Sequence, residues 1–305
     1  MVTLTVCGED EFTCFDGSCI FMDLRCNGRE DCSDASDEKQ CEILKTFEGY
    51  NKMLLPLPRE NEKIFNLNIS IFISNIKSID EVHGKLKLKI AIIRSWYNPQ
   101  LSYLNLNRSE TKNLLSEADK EKMWIPYIVF QNVEAYMSTD RLDTVRISPN
   151  PEFKYKRGSK VDMMNYRVFS GSENILKYER ELNAEVSCDF NVAWFPFDSQ
   201  VCFLQFYKDE DEIALRPVAV NYTGPTLLRQ HYFKVIKICL HRFHEKPGIV
   251  VELQLGRPLV GSMLTIFLPT ILLVIISQMV QVYVSNHIDM VIGVQLTLLL
   301  VLATM

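Results

Sequence analysis

The sequence predicts a multidomain chain: a small disulfide-stapled module, then an antiparallel β-sandwich, then α-helical transmembrane segments. Three observations carry this. Six of the nine cysteines fall within residues 1–41, beside ten acidic and three basic residues. From about residue 58 to residue 256, short runs alternate apolar and polar positions, with turn residues between them. From Pro258 to Met305 there is no Lys or Arg, and Asp289 is the only formal charge.

Charge and cysteine usage bound the function. The net charge of -5 divides into -7 over residues 1–41 and about +2 over the remaining 264 residues. No basic patch marks a nucleic-acid partner. The cysteine-dense first segment implies an exported, oxidising environment. Met1 is followed by VTLTVCGEDEF, which has no apolar signal core, and the chain stops at Met305 inside an apolar run. The expectation is that both ends are incomplete.

The first module spans residues 1–41. Cys7, Cys14, Cys19, Cys26, Cys32 and Cys41 follow the pattern C-x6-C-x4-C-x6-C-x5-C-x8-C. Six cysteines allow fifteen pairings, and spacing alone does not choose among them. A segment of about 40 residues has too little core to fold unaided, so disulfides or a metal must add to it. Asn27, Asp31, Asp34, Asp37 and Glu38 crowd oxygen ligands together, as a hard cation such as Ca²⁺ prefers. Phe12-x-Cys14, Gly17-x-Cys19-Ile20 and CNGREDCSDASDE resemble the LDL-receptor class A module. That resemblance implies the pairs Cys7–Cys19, Cys14–Cys32 and Cys26–Cys41. It also implies Ca²⁺ held by the side chains of Asn27, Asp31, Asp37 and Glu38 and by the carbonyls of Leu24 and Arg29. Leu24 stands where the family has Trp, which a backbone ligand tolerates. Asn27 stands where it has Asp, which keeps an oxygen but removes a charge.

Residues 42–257 form the body. Ile43, Leu44, Phe47 and Leu54 are apolar among charges and predict a short helix over 42–54, ended by Pro56 and Pro58. Strand patterns follow, as at Ile64–Ile69 and at Leu86, Leu88, Ile90 and Ile92, which argues for an antiparallel sandwich over a parallel α/β sheet. Asn68-Ile-Ser, Asn107-Arg-Ser and Asn221-Tyr-Thr are glycosylation acceptors, consistent with export.

Cys188 and Cys202 bracket a loop with Phe195-Pro196-Phe197-Asp198 at its centre and Gln200 near its end. Pro196 fixes one backbone angle, and Trp194, Phe195 and Phe197 give the loop an apolar tip that must pack on something. Residue by residue, it resembles the signature loop of the Cys-loop, or pentameric ligand-gated, ion channels. Further landmarks of that family follow in order: Ile79-Asp80-Glu81, Arg94-Ser95-Trp96 with Asn98 and Leu101, Trp124-Ile-Pro126 before Phe130-Gln131-Asn132, and Arg257 at the membrane entry. With the first module, the resemblance covers nearly the whole chain. It implies a disulfide between Cys188 and Cys202 at the base of an extracellular sandwich, against the membrane domain.

Residues 258–305 are then the channel domain. Leu259 to Val282 is 24 residues without a charge, long enough for a helix to cross ~30 Å of hydrocarbon. Leu268-Pro269-Thr270 matches the Pro of the family's first transmembrane helix. Ser285-Asn286-His287 is a helix cap before the run Ile288 to Met305, which resembles the pore-lining helix. Val291, Gln295, Leu298, Leu302 and Met305 share one helical face. Gln295 argues for a face on water or on a bundle interior, because an amide in lipid is expensive. The resemblance makes Leu298 the hydrophobic gate and Asp289 a carboxylate ring at the cytoplasmic mouth. Where the anion channels have Pro-Ala-Arg, this chain has His287-Ile288-Asp289, which favours cations.

The transmitter pocket departs from the family. Its usual aromatics, which bind cationic ligands by ring faces, correspond to Gln131, Asp209 and Ala91, and Tyr127 stands where the family has an acid. The segment Cys239 to Gly248 keeps one aromatic, Phe243. The candidate ligand-binding residues are therefore Gln131, Asp209 and Phe243. The agonist is left open among a small molecule, a peptide and an ion, as is a subunit that binds none. The implied partners are four further subunits in a homo- or hetero-pentamer, the plasma membrane with the N-terminal region outside, and an extracellular protein partner for the first module. A cell-surface receptor built on that module is the alternative. No Gly-Asp-Ser-Gly stretch occurs, and His83, His231, His241, His244 and His287 sit in no metal or triad context, so an enzyme is not expected.

Overall fold

Alternation decides the longest strand. Phe65, Leu67, Ile69, Ile71 and Ile73 point to one side of β1 (Phe65–Asp80) and are buried there. The computed structural model describes residues 7–304 apart from 9–10, 40, 61, 139–142, 153, 158–166, 208–211, 229–232, 243–247 and 284–287. The remaining long strands are β2 (Lys85–Trp96), β3 (Val133–Ser138), β4 (Thr144–Ser148), β5 (Ile175–Ser187), β6 (Ser199–Tyr207), β7 (Ile213–Tyr222), β8 (Phe233–Arg242) and β9 (Gly248–Gly256).

One sheet runs β7-β1-β2-β5-β3, with β4 also paired to β5. The second runs Leu227–Leu228, β8, β9, β6 and Val129–Phe130. Their apolar faces form one core, where Trp124 meets Phe65 and Trp96 edge to face at 5.3 and 6.0 Å. One pairing departs from the antiparallel pattern, and one expectation is corrected. The pairing of β7 with β1 is parallel, whereas the other pairings among the described residues are antiparallel. The predicted helix over 42–54 is absent: Leu44–Thr46 is a strand paired with Leu101–Leu104, and turns follow it. Leu44 is buried against that sheet, and Gly49 takes a left-handed φ of +92° that an α-helix does not use.

The first module has its own small core of Phe12, Cys14, Met22 and Cys32. Disulfides join Cys7 to Cys19, Cys14 to Cys32, and Cys26 to Cys41. The strand pair Glu11–Thr13 and Cys19–Phe21 closes one side of it.

The short helix α1 (Glu117–Lys122) is capped by Ser116, whose Oγ accepts from the Asp119 amide at 3.2 Å. At the far end, α2 (Leu259–Ser262), a π turn at Met263–Phe267 and α3 (Leu268–Tyr283) succeed one another without a break, and α4 (Ile288–Thr304) follows. Pro269 has no N–H to give to the carbonyl four residues back, and the ladder widens to the π turn just before it. Among the described residues no helix is long and apolar enough to cross a membrane. The 16 residues of α3 alone rise about 24 Å.

Candidate functional site

The disulfide joining Cys188 to Cys202 closes the loop at the end of the sandwich that meets the helical segment. Gln200 braces it from within. Its Oε1 accepts from the Asn191 amide at 2.8 Å, and its Nε2 donates to the Asn191 carbonyl at 2.8 Å and to Asp198 Oδ2 at 2.6 Å. The Phe195–Pro196 peptide bond is cis. Outside the loop, the Cys188 amide donates to the Gly84 carbonyl at 2.8 Å. Gly84 has φ +65°, and a Cβ there would sit 2.7 Å from the Cys188 carbonyl oxygen, so the β1–β2 turn and the loop touch backbone to backbone. The tip faces outward, with Trp194 78% and Phe197 67% exposed.

Arg257 draws three parts of the chain together. It follows directly on β9, and its side chain is only 5% exposed. Nε donates to Asp198 Oδ1 at 2.7 Å, Nη1 donates to Glu81 Oε1 at 3.3 Å, and Nη2 donates to Glu81 Oε2. The guanidinium also lies 4.8 Å from the Phe195 ring centre and 4.4 Å from that of Phe233. Burial opposes its charge, but the hydrogen bonds it donates to Glu81 and Asp198 outweigh that and hold its pKa above the usual value. Phe195 then stacks on Phe267 in the π turn, with centroids 6.2 Å apart and planes at 20°. These contacts connect the loop and the β1–β2 turn to the start of the helical segment. Glu81 and Asp198 were legible only as landmarks, because nothing local in the sequence shows that both converge on Arg257.

Residues 40–218, more than half of the chain, match the family described as the neurotransmitter-gated ion-channel ligand-binding domain. The chain belongs to that family. Residues 5–41 match the low-density lipoprotein receptor domain class A. An acetylcholine receptor subunit of beta type, unc-29, from Caenorhabditis elegans is 22% identical over 250 residues, or 81% of this chain and 46% of the relative. A glycine receptor subunit of beta type 4 from the same organism is 24% identical over 278 residues, or 87% of this chain and 53% of the relative. Neuronal acetylcholine receptor subunit alpha-9 of Gallus gallus is 26% identical over 167 residues, or 52% of this chain. The chain spans about half the length of the first two of these relatives.

In this neurotransmitter-gated channel-family chain, the candidate pocket residues are spread apart from one another in sequence. Gln131 is exposed, and its amide donates to the Gln205 carbonyl at 3.0 Å. Asp209 and Phe243 lie outside the described residues. On α4, Asp289 is exposed in the first turn, while Val291, Val294, Gln295 and Leu298 are half-buried. Gln295 reaches α3: its Oε1 accepts from Ser277 Oγ at 2.9 Å, and its Nε2 donates to the Ser277 carbonyl at 3.3 Å. Leu302 lies on α4, with its side chain outside the description, and Met305 is not described.

In the class A module, the acidic loop is one connected network. Asp37, 0% exposed, accepts from the amides of Asp31 at 2.8 Å and Cys32 at 3.3 Å. Glu38 Oε1 accepts from the amides of Asn27 at 2.8 Å and Gly28 at 3.1 Å, and Asn27 Nδ2 donates to Asp31 Oδ2 at 2.7 Å. Leu24 ends the 3₁₀ turn Met22–Leu24, and Arg29 lies in the same loop as Asn27, its amide donating to Asn27 Oδ1 at 2.7 Å. Four oxygen-bearing side chains on one short loop, one of them a buried carboxylate, fit a hard cation. Two other clusters, Cys7 with Glu11 and Cys19, and Cys14 with Cys32 and Asp34, bring sulfur near carboxylates. Their sulfurs are tied up in disulfides and are not ligands.

Proposed function

We propose that this chain is a subunit of a pentameric, cation-selective channel opened by an extracellular ligand. Residues 1–41 are its class A module, 42–257 its ligand-binding sandwich, and 258–305 the first transmembrane helix with part of the pore-lining helix. The observation that carries this reading is the Arg257 clasp, which ties the disulfide loop and the β1–β2 turn to the first residues of the apolar helical run. A ligand that twists the sandwich displaces two of the clasp's three members, and the third leads straight into α2.

The run Leu259–Tyr283, helical throughout in α, π and α segments, serves as the membrane span, with Leu268-Pro269-Thr270 at its middle. In the pore helix, Asp289, Val291, Gln295, Leu298 and Leu302 face the conduction path. A lone subunit satisfies the Gln295 amide on Ser277. Five subunits around a wet pore satisfy it with water, and α4 then turns this stripe away from α3. The module holds Ca²⁺ through Asn27, Asp31, Asp37 and Glu38 and the carbonyls of Leu24 and Arg29. For so small a core, metal binding is folding free energy. Asn68, Asn107 and Asn221 carry glycans on the extracellular side. A second reading, a subunit that joins the pentamer without binding agonist, is favoured by the exposed amide side chain at Gln131, where the family has an aromatic.

The test is expression of the natural full-length gene product in a eukaryotic membrane. Mild detergent should release pentamer-sized particles with glycans only on residues before 258. A soluble monomer would overturn the proposal.

A further inference from the structure

Two arginines stand on the inner face of the first sheet, where its pattern otherwise sets apolar residues. Arg94 alternates with Ile90, Ile92 and Trp96 along β2 and is 7% exposed. Register places it opposite Tyr178 of β5, and it places Arg180 opposite Ile92. Nη1 of Arg94 donates to the Pro126 carbonyl at 2.5 Å, and its guanidinium lies 4.2 Å from the Tyr178 ring centre. Its Nε is buried without a hydrogen-bond partner, and among the described residues no carboxylate is hydrogen-bonded to Arg94. Asp143 is turned to its neighbours instead: it accepts from the Tyr178 hydroxyl and lies 3.7 Å from Arg180 Nε. Burial pulls the Arg94 pKa down to about 10, as expected of a desolvated cation whose counter-charges are not in contact.

A cavity of about 30 Å³ is lined by Arg94, Arg180, Tyr127 and apolar side chains that include Ile92 and Leu182. It has room for one or two water-sized particles. A metal cation is repelled by the two guanidinium groups in the lining. We propose that this cavity binds a single chloride-sized monovalent anion, held by the Arg94 guanidinium with Arg180 beside it. The anion neutralises a buried cation and pins the segment after Pro126 onto β2 and β5. This site is separate from the pore and from the clasp, and it stands whether or not the chain assembles as a channel.

The experiment is thermal unfolding of the purified chain in sodium chloride and in sodium gluconate at equal ionic strength, gluconate being a far larger anion than chloride. Chloride should raise the midpoint saturably, on the order of 5 °C at saturation. Crystals grown in bromide should show an anomalous peak beside Arg94. Arg94→Leu should abolish the chloride dependence. Arg180→Gln should shift it to higher concentration, and this variant carries the test if Arg94→Leu does not fold. Identical unfolding in both salts, or no bromide peak, means that water fills the cavity and overturns the proposal. So does a chloride effect that is unchanged in both variants.

Discussion

Arg257 Nε and Asp198 Oδ1 lie 2.7 Å apart, with both side chains almost fully buried, so the residue that follows β9, two positions before α2, is tied to the centre of the disulfide loop. Glu81 completes the arrangement from the other side with an exposure of 31%. One guanidinium faces two carboxylates, a net charge of -1, and two aromatic rings pack against it.

Removing one partner of such a buried pair leaves an uncompensated charge, at a cost of about 3–5 kcal/mol. Arg257→Gln should therefore lower the denaturation midpoint of the sandwich strongly. Arg257→Lys should fall between Gln and wild type, because an ammonium cannot make the guanidinium's forked contacts to both acids. Glu81→Gln, at the more exposed arm, should cost least. Denaturant titrations of the four proteins check the order; coincident curves would show that the clasp contributes nothing to the fold.

Much of this was legible in the sequence and part was not, for physical reasons. Period-two alternation marked β1 and β2, because a strand half-buried on one face must repeat every second residue. The stretch 42–54 misled: Ile43, Leu44 and Phe47 have helical spacing, yet Leu44 pairs with Tyr103 in a sheet and Gly49 turns the chain. Tertiary pairing overrode a short local pattern. The parallel partnership of β7 with β1 has no periodicity of its own to betray it. Glu81 and Arg257 are 176 residues apart, so their contact is not written in any local window. Arg94 looked like one residue of a landmark triplet, and only the cross-strand register shows it facing Tyr178 inside the sheet.

The class A module should depend on calcium. Its core is a handful of side chains, and Asp37 is buried and accepts from two backbone amides. EDTA, or Asp37→Ala at any calcium concentration, should unfold residues 7–41 while the sandwich persists. Hydrogen exchange followed by mass spectrometry separates the two regions. Protection of the module that is identical with calcium and with EDTA would remove the metal from the account.

Leu298 should be the hydrophobic gate of the assembled channel. A ring of leucines keeps water out by dewetting, and a hydroxyl-bearing side chain readmits it. Leu298→Thr in the full-length subunit should raise resting current or agonist sensitivity, as read in voltage-clamp recordings. If Leu298→Thr behaves as wild type and Leu299→Thr does not, the pore stripe is displaced by one residue on α4.

Asp289 should set the sign of the permeant ion. It is exposed in the first turn of α4, where a carboxylate is also favourable to the helix dipole by roughly 0.3–1 kcal/mol. The two roles separate under mutation. A helix-dipole role predicts that Asp289→Asn costs a little stability and leaves selectivity alone. A pore role places five carboxylates at a narrow mouth, where low-dielectric walls concentrate cations and repel anions even at moderate salt. Asp289→Asn should then weaken cation preference, and Asp289→Arg should move it towards chloride. Reversal potentials in sodium and chloride gradients measure this in the full-length channel. Unchanged reversal potentials in both variants, with robust current, would make Asp289 a helix-terminal residue and move the origin of selectivity elsewhere on the conduction path.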